Sequence, residues 1–220
     1  MKPVILDSVW KEYCKLYAKF TPSFQKDLLQ KASNYSQGQV IDAGVGVGKM
    51  FTYYDSNNLV TSVKGIDSSQ DMIDLAQKFR SQRGLEITLE HKDVHAYNSY
   101  HNADTIISLN VLYALRNPIS YLHQVSSQMK KDSTLVLSSQ NRNLDLKKVQ
   151  KALQNEFEQD EEFEKFKNMQ STLSTASSTP TRKYALEEII SLFELLKLDV
   201  IEADNSIYLG SNFFVVGKKK

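Results

Sequence analysis

The run Val40-Ile41-Asp42-Ala43-Gly44-Val45-Gly46-Val47-Gly48 constrains this chain more than any other stretch. Val40 and Ile41 read as the end of a buried strand, and Asp42 closes it. Three glycines at alternate positions then make a turn into a helix expected over residues 49–54. Glycine lacks Cβ and adopts positive φ, so the chain bends sharply there and a ligand can approach the backbone. A strand, a glycine turn and a helix N-terminus together present backbone N–H groups to such a ligand. Two nucleotide-binding patterns fail on this run. The dinucleotide fingerprint G-x-G-x-x-G would need glycine where Lys49 stands. The phosphate loop G-x-x-x-x-G-K-[ST] would need glycine at Ala43 and a hydroxyl at Met50. A tight turn that holds no ligand is the alternative for the run taken alone.

The chain has 220 residues, of which 41% are hydrophobic, enough for the core of a single domain. A net charge of +1 gives no electrostatic footprint for nucleic acid. Lys218-Lys219-Lys220 reads as a solvated tail. Cys14 is the single cysteine, which excludes an intramolecular disulfide and a cysteine-based zinc site and suits a reducing compartment. No run approaches the ~20 apolar residues of a membrane span, and Val4-Ile5-Leu6 is too short for a signal peptide. A cytoplasmic protein is expected.

Further strands follow the glycine turn, and the first two of them also lead into acids. Residues 62–67 end in Asp67, and residues 86–90 are followed by Asp93. Asp67 lies nineteen residues beyond Gly48, close to the ~20-residue offset at which an acid meets a ribose in dinucleotide folds. Its carboxylate can hold two hydroxyls, or it can cap the helix expected over 70–79, as can Ser68 or Ser69. Residues 103–110 are almost continuously apolar, as in a strand buried on both faces, and 111–115 continue it. A fifth strand over 133–138, a helix from Tyr184, and late strands over 198–203 and 212–217 complete the pattern. The short link between the last two strands makes them antiparallel, and residues 207–209 extend one or the other.

The order D-x-G-x-G-x-G, Asp67, Asp93 at the ends of three successive strands resembles class I S-adenosylmethionine (SAM)-dependent methyltransferases. The run D-S-S-Q-D-M-I-D-L-A after the second strand is similar to the same family. The resemblance covers about residues 39–217. It implies an α/β fold: a seven-stranded Rossmann-like sheet, mostly parallel with an antiparallel last strand, and helices on both faces. It implies a division into an N-terminal helical cover (1–36), a SAM-binding core (37–140), a helical lid-like insertion after the fifth strand (141–182) and a last helix with a β hairpin (183–220), all in one domain. It further implies SAM as cofactor and S-adenosylhomocysteine (SAH) as product. No carboxylate or cysteine set stands at ligand spacing around His91 and His95, so no metal is expected. Asp42, Ala43, Gly44, Gly46 and Gly48 would take the methionine half together with Asn110. Asp67 would take the ribose, with Ser68 beside it at the cofactor. Met72, Asp93 and Val94 would take the adenine.

A small-molecule methyl acceptor is expected, with methyl transfer to N, O or another nucleophile by in-line displacement. Tyr13 and Tyr17, on a helical face with Trp10 and Phe20, are candidates for its pocket, as is Tyr113, which is also the candidate nearest the reaction. Core packing is the alternative for each. Phe51-Thr52-Tyr53-Tyr54 is loosely similar to branches that act on apolar acceptors. For a base, His101, His123 and Tyr208 qualify on chemistry alone, and alignment with desolvation and no base is the other possibility. His91 and His95 read as solvated. Residues 141–180 suggest one or two amphipathic helices, a solvated mixed-charge face over 156–167 and a Ser/Thr-rich link over 171–180. Two other functions stay open: an RNA or protein methyltransferase, against which the absence of N-P-P-Y at Asn110 counts for nucleic acid, and a SAM-binding module without catalysis.

Overall fold

The computed structural model describes residues 4–79, 81–176 and 183–220. Seven strands form one sheet: β1 (Gly38–Ala43), β2 (Val60–Asp67), β3 (Glu86–His91), β4 (Thr105–Leu109), β5 (Thr134–Gln140), β6 (Leu198–Asp204) and β7 (Asn212–Lys219). Their order is β3-β2-β1-β4-β5-β7-β6. β1 pairs in parallel with both β2 and β4, while β7 runs antiparallel to β5 and β6. The seven-stranded mixed sheet with an antiparallel last strand is therefore the one expected. The strand order reverses between β1 and β4, and in open α/β sheets such a switch opens a crevice beyond the strand ends.

Helices cover both faces. Residues of β4 and β5 are buried throughout except at their last positions, and two apolar clusters lie on opposite sides of the sheet. One gathers Ile106, Leu135 and Phe213 with Tyr121 and Phe193; the other gathers Ile107, Val136 and Phe214 with Leu28, Phe51 and Tyr54. Phe51 and Tyr54 are thus core side chains and give no support to an acceptor role for that run.

The N-terminal segment forms α1 (Val4–Lys19) and α2 (Ser23–Ser33), broken at Thr21-Pro22 as the sequence indicates. The insertion after β5 forms α6 (Leu146–Phe157) and α7 (Glu161–Ala176), after α3 (Phe51–Ser56), α4 (Gln70–Ala76) and α5 (Pro118–Gln128) and before α8 (Leu186–Leu195). A third apolar cluster, Leu16, Phe20, Phe163 and Phe166, joins α1 to α7. Phe20 meets Phe157 and Phe163 edge-on at 5.1 and 5.5 Å. Aromatic pairs in this arrangement contribute about 0.5–1.5 kcal/mol beyond their buried area.

Several local expectations are corrected. Residues 112–114 are a 3-10 turn and not more of β4, because Asn110 turns the chain at φ 58°. Residues 207–209 extend neither strand: Tyr208 and Leu209 sit at φ 53° and 60° in a tight turn. The lysines at the end are no free tail. Lys218 and Lys219 belong to β7, and Lys219 Nζ donates to Ser126 Oγ at 3.0 Å. Residues 171–176 are helical, and the rest of the expected link, 177–180, lies outside the described residues.

The mixed-charge face over 156–167 is also not simply solvated. Glu156 accepts from Ser23 N at 2.9 Å, and Lys19 Nζ reaches Asp160 at 2.8 Å and Glu162 at 2.7 Å. These exposed pairs set the register of the insertion on the cover more than its stability. Exposed ion pairs contribute about 0–1 kcal/mol, so Lys19→Met should cost no more than ~1 kcal/mol in denaturant unfolding. A larger loss would mean that the charges, and not the phenylalanine cluster, hold the two layers together.

Candidate active site

The switch between β1 and β4 opens into a crevice of about 900 Å³. Its lining includes Gly44 and Gly46 from the turn after β1, Asp67 and Ser68 after β2, Met72 on α4, and Asp93 and Val94 after β3. Asn110 and Tyr113 after β4 face them, and Tyr13 and Tyr17 of α1 cover the top. Eleven of the residues singled out in the sequence thus surround one space, which lies within the ~300–1,000 Å³ common for small-molecule and cofactor sites.

Three others lie elsewhere. Ala43 is fully buried in the core. Gly48 takes φ +79° with Phe51 against it, so that a Cβ there would come within 2.5 Å of the ring. Asp42 turns away from the crevice and accepts from Tyr54 Oη at 3.0 Å. Burial pushes the Asp42 carboxyl up to about 7, against the opposing Tyr54 bond. A carboxyl raised on folding keeps a proton that the unfolded chain gives up. Its stabilisation is full below the ordinary carboxylate range and is lost as pH rises through about 7. Asp42→Asn retains an acceptor for Tyr54 without the charge. The variant should exceed the wild type in thermal unfolding by about 1–2 kcal/mol at mildly alkaline pH, and the gap should close in acid. Parallel pH profiles would contradict this account of Asp42.

Asp67 ties the crevice floor together. Oδ2 accepts from Gly46 N and Oδ1 from Ser69 N, both at 2.9 Å. A carboxylate offers about four lone-pair sites, so two remain for a ligand. Burial raises its pKa, opposed by these backbone bonds. The helix-cap role falls to Ser69, whose Oγ accepts from Met72 N at 3.4 Å and also from Trp10 Nε1 at 3.1 Å. Gly46 sits at φ +56° with nothing within 4 Å of a Cβ, so its missing side chain leaves open space. Asp93 Oδ1 accepts from His95 N at 2.8 Å, which folds that loop back on itself.

Asn110 closes the other side. Its N–H donates to Ser138 O at 2.7 Å, its Oδ1 accepts from Asn212 Nδ2 at 2.7 Å, and its Nδ2 donates to Tyr208 Oη at 3.2 Å. Three bonds therefore fix a residue whose left-handed backbone asparagine tolerates better than most.

Beyond Asn110 lies a second, smaller chamber of about 190 Å³. It is walled by α1, the α1–α2 junction, the insertion and the turn at Tyr208. Tyr13, Tyr17, Asn110 and Tyr113 line both spaces and form the boundary between them. Behind Tyr17, the Lys49 ammonium stands 3.8 Å from the ring centre and donates to Phe20 O at 2.8 Å and Gln25 Oε1 at 3.1 Å. Burial lowers its pKa to about 7. Lys49 thus straps the glycine turn to the cover.

Among the described residues, the base candidates fare unequally. His101 and His123 are exposed and line neither space. Tyr208 lines the chamber, but burial holds its phenol well above the ordinary range, so it is not a phenolate, and its Oη accepts from Asn110 Nδ2. His95 was expected to be solvated. Its ring instead packs edge-on against Tyr121 at 5.9 Å, and its Nε2 is buried without a partner among the described residues. It lines the crevice, as do Trp10 and Arg116. Of these, only Trp10 had a usable signal, sharing a helical face with Tyr13 and Tyr17.

A methyltransferase-domain family model matches residues 17–179 of the chain. The chain belongs to the class I SAM-dependent methyltransferases. No curated protein matches it. Solved structures share the fold at low identity. The plantazolicin methyltransferase BpumL in complex with SAH aligns with a TM-score of 0.65 at 18% identity, covering 100% of this chain and 92% of that one. The magnesium protoporphyrin IX methyltransferase of Synechocystis PCC 6803 with bound SAM gives 0.59 at 15%, covering 91% and 86%. A methyltransferase of Haloferax volcanii in complex with the Trm112 activator gives 0.61 at 14%, covering 89% and 88%. This methyltransferase is an enzyme that uses SAM. No helix among its described residues is long and apolar enough to cross a membrane.

Proposed function

We propose that this methyltransferase transfers the methyl group of SAM to a small molecule held in the chamber, by in-line displacement across the boundary of Tyr13, Tyr17, Asn110 and Tyr113. The observation that carries the proposal is that boundary. A large crevice and a small chamber share four lining residues, which sets a methyl donor in one next to an acceptor in the other. In the crevice, Asp67 takes the ribose hydroxyls, Met72, Asp93 and Val94 take the adenine, and the glycine turn with Asn110 takes the methionine part. Asp42, Ala43 and Gly48 then act behind the surface, by shaping the turn.

The sulfonium leaves as a neutral thioether, so the leaving group needs no proton. Rate comes from alignment, and well-oriented groups reach effective molarities of ~10⁵–10⁸ M. The insertion α6–α7 supplies Leu153 and Phe166 to the chamber wall and acts as the lid that selects the acceptor. The chamber takes a compact group, and a net charge of +1 gives no electrostatic footprint for a nucleic acid, which favours a small molecule. The Haloferax volcanii neighbour, bound to an activator, supplies the competing model, in which a partner protein completes the enzyme.

Incubation with methyl-labelled SAM and separate pools of small molecules, RNA and protein tests the proposal. Label is expected in the small-molecule pool. Label confined to RNA or protein would overturn the acceptor class, and SAH binding without any transfer would favour a binding module.

A further inference from the structure

The chamber wall has a chemical peculiarity. Among the described residues lining it there is no Asp, Glu, Lys, Arg or His. Its polar groups are amides and tyrosine hydroxyls. Burial holds the phenols of Tyr13, Tyr17 and Tyr208 above their ordinary range and pushes Tyr113 up to about 12, so none of them serves as a phenolate near neutral pH. Lys49, whose pKa burial lowers to about 7, does not reach the acceptor: it lines neither space and stands behind Tyr17, donating to Phe20 O and Gln25 Oε1.

This composition limits the nucleophile. An alcohol or phenol must lose its proton as the methyl arrives, and no group lining the chamber takes it; His95, with its unpartnered Nε2, packs against Tyr121 and lines the crevice alone. An aliphatic amine is an ammonium at neutral pH and would have to shed its proton before it could attack. A thiolate would leave water for a wall without a cation, with the sulfonium across the boundary as its one counter-charge, and taking a charge out of water is costly. An arylamine or an aromatic ring nitrogen escapes all three objections. It is uncharged at neutral pH, its lone pair is free, and its flat apolar frame suits a wall that includes Phe20, Phe24 and Phe166. The volume of about 190 Å³, below the ~300–1,000 Å³ of drug-sized sites, favours a compact molecule.

Resting on the methyltransferase reading of the two cavities, we infer that the acceptor is a compact, uncharged aromatic compound whose nucleophile is an unprotonated ring or aryl nitrogen. The lone pair forms the N–CH₃ bond as the C–S bond breaks and its electron pair returns to sulfur. Positive charge passes from sulfur to nitrogen, where aromatic faces stabilise it. A nitrogen that carries hydrogen loses that proton to water after release.

The test uses the whole chain and a matched set of two-ring compounds: quinoline and benzimidazole against 2-naphthol, 2-naphthalenethiol and 1-naphthylmethylamine, each with methyl-labelled SAM. Calorimetry with SAH is run first, because absence of cofactor binding would fail the underlying reading and not this one. Quinoline or benzimidazole is expected to accept methyl at least about tenfold faster than the others, a difference of about 1.4 kcal/mol in barrier. That rate, compared with SAH affinity measured at each pH because Lys49 and Asp42 titrate near 7, should not climb from neutral to mildly alkaline pH. With SAH binding intact, the inference is overturned if the naphthol, thiol or aliphatic amine is equally good or better. It is also overturned if the rate climbs with pH as a deprotonation would require, or if neither nitrogen heterocycle accepts methyl.

Discussion

Asp67→Ala is expected to weaken SAH binding at least about tenfold in calorimetry, a loss of about 1.4 kcal/mol or more. The effect has two sources. Removal of the carboxylate takes away the acceptor proposed for the ribose hydroxyls, and hydrogen bonds to charged groups contribute about 1.5–3 kcal/mol each. It also releases Gly46 N and Ser69 N, which the two carboxylate oxygens hold at 2.9 Å. The turn after β1 and the start of α4 then lose the link that fixes their separation. Asp67→Asn separates the two sources. The amide keeps one acceptor oxygen but turns its NH₂ toward one of those N–H groups, so it should bind SAH less well than wild type even where thermal stability is preserved. Unchanged affinity in both variants would remove Asp67 from the cofactor site.

Gly44→Ala should destabilise the fold by about 2–4 kcal/mol and abolish measurable SAH binding. Gly44 adopts φ +84°, where an L side chain is strained, and a Cβ at this position would stand 2.2 Å from Val111 Cγ2. Val111 is β-branched and stiff at χ1, so it cannot swing aside cheaply. Moving it displaces Asn110 and Tyr113 on either side, which form the boundary between crevice and chamber. Gly44→Ala combined with Val111→Ala should recover the steric part and leave the backbone part, about 1–2 kcal/mol. Additive losses in the double variant would show that the two residues do not meet across the switch.

The legible part of the site was the part carried by local chain chemistry. A glycine turn has to follow β1 because only glycine reaches those φ values freely, and an acid at a strand end projects beyond the sheet. Periodicity and apolar runs located all seven strands and the break between α1 and α2. What stayed hidden was which faces meet. Tyr208 and Asn212 lie about a hundred residues from Asn110, yet they complete its hydrogen bonds. No spacing rule couples them, and nothing local announces an αL turn on Tyr208-Leu209, since positive φ is uncommon for residues other than glycine. Glu156, Asp160 and Glu162 looked like a solvated face because their partners, Ser23 and Lys19, belong to α2 and α1. Asp42 shows the converse limit. Its place in the motif is plain, but Tyr54, twelve residues on, draws its side chain into the core.

The most direct test of the account is a crystal structure of the protein grown with SAH. The account predicts the ribose hydroxyls within hydrogen-bonding distance of Asp67, the adenine between Met72 and Val94 with its amino group toward Asp93, and the sulfur at the boundary formed by Asn110 and Tyr113. SAH bound outside the β1–β4 crevice, or bound there with its sulfur turned away from the chamber, would contradict it.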